Sequence, residues 1–139
     1  MFKSKKACSL VWAGAALSLV LGGTWVGVAV AAPPGAAKVK APYAQAAAVV
    51  NADGSVNRSK GIEAVTHPKT GHYCVELEDK DLDIRNLVPS ATLQYTSFEY
   101  GVRISMWPHP ECGTRADTFL VITGKTGVWT DQSFSFVVA

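Results

Sequence analysis

From about residue 46 to the C-terminus, apolar and polar positions alternate with a period of two in one short segment after another, and no stretch repeats its apolar residues every 3.6 positions. Alternation of this kind predicts half-buried β-strands. "AAVVNADGSV" reads as a strand end near Val50, an Asn/Asp/Gly turn and a restart at Val56. "GIEAVTH" and "HYCVEL" are two strands joined by Pro68–Gly71, "PKTG", whose residue types suit a hairpin turn. "ATLQYT" alternates Ala91, Leu93 and Tyr95 against Thr92, Gln94 and Thr96. "FEYGVRISMW" is the longest predicted strand, Phe98–Trp107, with Phe98, Tyr100, Val102, Ile104 and Met106 on one face. "TFLVIT" and "SFSFVVA" complete six to eight short strands. The expected fold is all-β, a small antiparallel β-sandwich or barrel.

The first 32 residues follow a different pattern. Lys3, Lys5 and Lys6 precede an uncharged apolar run from Ala7 to Ala32 that ends in Ala29-Val30-Ala31. A basic start, an apolar middle and small residues at the end predict a secretory signal peptide, residues 1–32, cut after Ala31 or Ala32. The run is also long enough to span a bilayer, so an uncleaved anchor with the remainder outside is the alternative. Residues 33–45 are Ala/Pro-rich and are expected to be a flexible lead-in. Residues 46–139 form the β domain. Localisation is therefore expected to be secreted, with membrane attachment only if the leader is retained.

Removing the leader changes the charge. The full chain carries 13 Lys+Arg against 11 Asp+Glu, a net charge of +2. Without the three leader lysines the balance is near −1, and no basic stripe remains to suit nucleic acid. Cys8 leaves as well, so two cysteines, Cys74 and Cys112, face an oxidising compartment. Two thiols cannot close a structural zinc site alone, and a Cys/His catalytic pair needs a free thiol. Count and compartment together predict a Cys74–Cys112 disulfide.

The segment Ala48–Leu77 carries a strand, a D-G-[ST] turn, a glycine before an "[IV]-x-x-V" strand, and "G-x-Y-x-V-x-[LF]". Asp53, Gly54, Ser55, Gly61, Ile62, Val65, Gly71, Tyr73, Val75 and Leu77 occupy these positions, and "SFSFVVA" is similar to a Phe-x-[LV]-x-V ending. In these residues the chain resembles a small β module of secreted and surface proteins of actinobacteria. The resemblance covers about 30 residues well and implies a secreted β domain. Its matched positions are turn glycines and core apolars, so it brings no catalytic residue.

Candidate chemistry is sparse. Asp79, Asp81 and Asp83 alternate like the opening of a calcium loop, but Ile84 and Ser90 stand where such a loop needs Gly and Glu, so a solvated acidic loop is the plainer reading. His67 and His72 flank the "PKTG" turn and could join His109 in a zinc site, with surface histidines as the default. No Gly-x-Ser-x-Gly elbow is present. Glu111, Asp117 and Asp131 could supply glycosidase carboxylates, as any small domain could. "TGKTG" lacks the spacing of a phosphate loop and reads as a hairpin turn. No metal or cofactor is expected.

Trp107, beside "PHPECG", and Trp129, after the "GKTG" turn, are the remaining candidates, either capping the core or contacting a sugar or protein. With His109 they form the expected ligand-binding set. The expected function is a secreted, monomeric, non-catalytic binding or structural module with a protein or glycan partner at the cell surface. A small inhibitor of an extracellular enzyme, presenting the "MWPHPECGTR" loop, is the alternative, and a small hydrolase is a third.

Overall fold

The structure, a computed structural model of the chain, describes residues 29–31 and 37–139. Eleven strands occur among these residues: β1 Ala29–Ala31, β2 Ala37–Lys38, β3 Ala46–Val50, β4 Val56–Lys60, β5 Ile62–Lys69, β6 His72–Leu77, β7 Pro89–Leu93, β8 Tyr100–Ile104, β9 Thr118–Lys125, β10 Val128–Trp129 and β11 Phe134–Val138. Two sheets pack face to face. One has the order β1-β5-β6-β9-β10 with β8 also paired to β9, and the other runs β2-β4-β3-β11-β7. The architecture is a sandwich, and no barrel closes among the described residues.

The alternation along the chain explains the packing. In β6 the inward residues Tyr73, Val75 and Leu77 are fully buried, and across the interior Phe134, Phe136 and Val138 of β11 are buried as well. The sheets meet through aromatic pairs, Phe119 with Phe136 at 5.3 Å between ring centroids and Tyr73 with Phe134 at 5.0 Å. Removing these large apolar side chains from water is the main force holding the sheets together. The buried phenol of Tyr73 donates to the Ala52 carbonyl at 2.7 Å, so its polar end is satisfied.

Gly61 makes the corner where the chain leaves β4 in one sheet for β5 in the other. Its φ is +63°, and a Cβ there would lie 2.5 Å from the Gln45 carbonyl oxygen, so only glycine fits. The acidic segment Asp79–Asp83 is a structural turn. Asp79 accepts from the Asp81 amide at 3.0 Å, and Asp83 caps the short 3₁₀ turn Ile84–Asn86 by accepting from the Arg85 amide.

Two predicted strands are shorter in the structure. β7 stops at Leu93, since the chain must there cross to the other sheet. The Gln94 amide makes the last pairing, to the Ser133 carbonyl at 2.8 Å. Tyr95 then has a φ of +55° and points fully into solvent with Phe98. β8 spans Tyr100–Ile104 and not Phe98–Trp107. Past Ser105, whose hydroxyl donates to the Trp107 carbonyl, Pro108 and Pro110 offer no amide to continue the ladder. Phe98 and Met106 are thus exposed where the alternation placed them in the core.

Most of the expected signal peptide lies outside the described residues. Its last part, β1, pairs antiparallel with β5, Val30 opposite Val65. β2, within the expected lead-in, pairs in parallel with β4. Among the described residues no helix is long and apolar enough to cross a membrane.

Candidate functional site

The cysteine pairing is realised. Cys74, on the outward face of β6, and Cys112, at the end of the 3₁₀ turn Pro110–Cys112, form a disulfide with their Cα atoms 5.5 Å apart. Both are buried in a small outer cluster with Leu120 and the partly buried Ile122. The bridge ties the long connection between β8 and β9 down onto the outer face of its sheet.

Glu111 of that connection reaches the β5–β6 hairpin. It is hydrogen-bonded to the Lys69 ammonium, and its Oε2 faces the Nε2 of buried His72 at 3.8 Å. Burial alone would raise the Glu111 carboxyl, but the Lys69 hydrogen bond and the nearby His72, Lys69 and His109 outweigh it and set it below its ordinary value. His109 caps the 3₁₀ turn, its Nδ1 accepting from the Glu111 amide at 3.3 Å.

Trp129 completes the cluster. The Lys69 ammonium sits 4.9 Å from the centroid of its indole, and the His72 ring meets it edge-on at 4.7 Å. These contacts fix the indole in place while leaving the residue 59% exposed. Below it the hairpin turns at Gly71, where φ is +71° and a Cβ would strike the Thr123 carbonyl oxygen. Asp131 secures the turn by accepting from the Gly71 amide at 2.6 Å and from His67 at 2.9 Å.

Of the three residues expected to bind a ligand, Trp129 and His109 therefore meet the same cluster through Lys69 and Glu111. Trp107 is 68% exposed on the same connection and takes no part in these contacts. His67 and His72 diverge. His67 stacks on Tyr73 at 4.6 Å, whereas His72 lies outward against Trp129. The three carboxylates weighed for hydrolysis are each engaged separately: Glu111 with Lys69, Asp131 with His67 and Gly71, Asp117 with Arg115, Lys80 and Thr118.

An open groove of about 830 Å³ runs beside Trp129 on the outer face, over Gly101, Arg103, Ile122 and Gly124. The register explains its shape. Gly101 of β8 lies opposite Gly124 of β9, and Gly124 lies opposite Trp129 of β10, so the three form one cross-strand row. The next row is Arg103, Ile122 and His72. Sequence reasoning alone does not single out Gly101, Gly124 or Arg103. The signal it offers is a glycine inside an otherwise continuous strand pattern, which marks a bulge or a close approach.

Comparison with protein-family models, with curated proteins and with solved structures gave no match.

Proposed function

We propose that the chain is a secreted, disulfide-stapled β-sandwich acting as a non-catalytic binding module outside the cell or at its envelope. Its binding surface centres on Trp129, with the Trp107–His109 segment at its margin. One observation carries the reading: an indole clamped by Lys69 and His72 is nevertheless 59% exposed beside a groove. A large rigid side chain held out of the core loses little conformational entropy on contact and suits a binding anchor. The disulfide is compatible with an oxidising compartment.

The test is capture of partners from the producing culture by the purified protein and by Trp129→Ala and Trp107→Ala variants, with thermal unfolding of each. Trp129→Ala is expected to weaken capture at least tenfold, roughly the effect of losing an interface anchor, with the melting transition retained. Capture unchanged in both folded variants refutes the surface assignment.

The inhibitor reading has its own support. The segment Met106–Gly113 carries exposed Trp107 and is pinned by the disulfide and by the Glu111–Lys69 pair. Stoichiometric incubation with secreted proteases and glycosidases checks it, and undiminished turnover throughout ends it.

A further inference from the structure

Two of the glycines that line the groove, Gly101 and Gly124, differ in why they are there. A Cβ on Gly124 would lie 2.4 Å from the Val128 carbonyl oxygen and 3.0 Å from the Trp129 Cα, so the tight β9–β10 hairpin requires it. Gly101 has no such reason. Its φ is not positive, and a Cβ there would meet nothing within 4 Å. A glycine inside a strand weakens it, and packing around Gly101 returns nothing for that weakness. What the missing side chain provides is an open floor at Gly101, on the face of the sheet that carries the indole.

The charges around this floor are unequal. Glu99 and Lys125 offset one another at 3.9 Å. Arg103 is exposed, lies on the same face as Gly101 two residues along β8, and makes no side-chain hydrogen bond or ion pair among the described residues. It stands about 7 Å along the strand from the floor, while Trp129 stands about 9.5 Å across it. The site thus combines a flat glycine floor, an aromatic wall and one uncompensated guanidinium. A sugar ring presents apolar C–H faces to an indole and hydroxyls to the strand edges. A carboxylate on that ring would meet a planar guanidinium able to bind it through two parallel hydrogen bonds.

We infer that the Gly101–Gly124 floor, Trp129 and Arg103 form a binding site for an acidic oligosaccharide, one whose sugar rings carry carboxylates. A ring lies over Gly101 on the face that carries the indole, and its carboxylate is held by Arg103. The inference rests on the binding-module reading and specifies its ligand.

Calorimetric titration of the full secreted protein with tetragalacturonate, with neutral cellotetraose and with a tetraglutamate peptide tests it. The acidic sugar is expected to bind at least about tenfold more tightly than either comparator. Arg103→Ala is expected to remove that preference over cellotetraose, since one charge-assisted contact accounts for about a tenfold change. Gly101→Val is the decisive variant. Valine suits a strand and enters open space, so the melting temperature should hold or rise while the filled floor abolishes binding.

Equal affinity for the neutral sugar overturns the role of Arg103. Undiminished binding by folded Gly101→Val overturns the location. Preference for the acidic peptide, or no binding of any probe, overturns the ligand class. In the last case the broader reading is judged separately by whether Trp129→Ala still releases the partner captured from culture.

Discussion

Replacing the disulfide by Cys74→Val together with Cys112→Ala removes a cross-link between residues 38 apart in sequence. If the bridge acts mainly by restricting the unfolded chain, closing a loop of that length is worth about 4 kcal/mol at 25 °C. Valine at 74 keeps apolar contact with Leu120 and Ile122, so the packing loss should add no more than about 1 kcal/mol. Small domains retain about 5–15 kcal/mol in all, so the change takes a large share of the total. With a urea slope of about 1–2 kcal/mol/M, the midpoint should fall by about 2–4 M, read by tryptophan fluorescence at pH 7. The slope itself should rise, because an uncross-linked chain exposes more surface when it unfolds. A midpoint within about 0.5 M of the parent, at unchanged slope, would refute the loop-closure reasoning and leave the bridge as a local clamp on the β8–β9 connection.

Two further predictions concern titration. Burial would raise the Asp117 carboxyl, but hydrogen bonds from Arg115, Lys80 and Thr118 prevail and hold it at about 2. Its folded value lies below the unfolded one, so its contribution is complete above about pH 4 and is lost as pH falls through 2. Asp117→Asn should therefore be less stable than the parent at pH 7, with the gap closing in urea titrations below pH 3; a gap independent of pH would contradict the ion-pair account. Burial, with the nearby Asp131 charge, pushes the Tyr73 phenol up to about 12. Its stabilisation holds below pH 10 and is lost as pH rises through 12, and ultraviolet titration of the folded protein should show a late step from this phenol. Tyr73→Phe should remove that late step and cost about 1–2 kcal/mol by leaving the Ala52 carbonyl without its donor. A titration curve that is the same for the parent and for folded Tyr73→Phe above pH 11 would refute it.

What the sequence disclosed follows from the period of two. Tyr73, Val75 and Leu77 are legible as an inward face because every second residue of a half-buried strand must be apolar. Cys74, one step out of phase, is legible as an outward staple because two cysteines behind an expected signal peptide have little else to do. Strand ends are not legible by that rule. Tyr95, Phe98 and Met106 continue the alternation, yet they are exposed because the chain has to cross between sheets after Leu93 and turn away after Ser105. Those constraints come from topology, which single segments do not encode. Trp129 could be singled out as a large side chain beside a turn, but the groove it borders depends on pairing. Gly101 and Gly124 share a face only in the register that sets Val102 opposite Thr123. A slip of one residue in β8 would send Gly101 and Arg103 to the interior and bring Val102 out to face Gly124. The same slip would bury the guanidinium without a partner, at a cost of several kcal/mol. Arg103 therefore helps to enforce the register that creates the groove, and the chemistry of the site and the choice of pairing are one constraint.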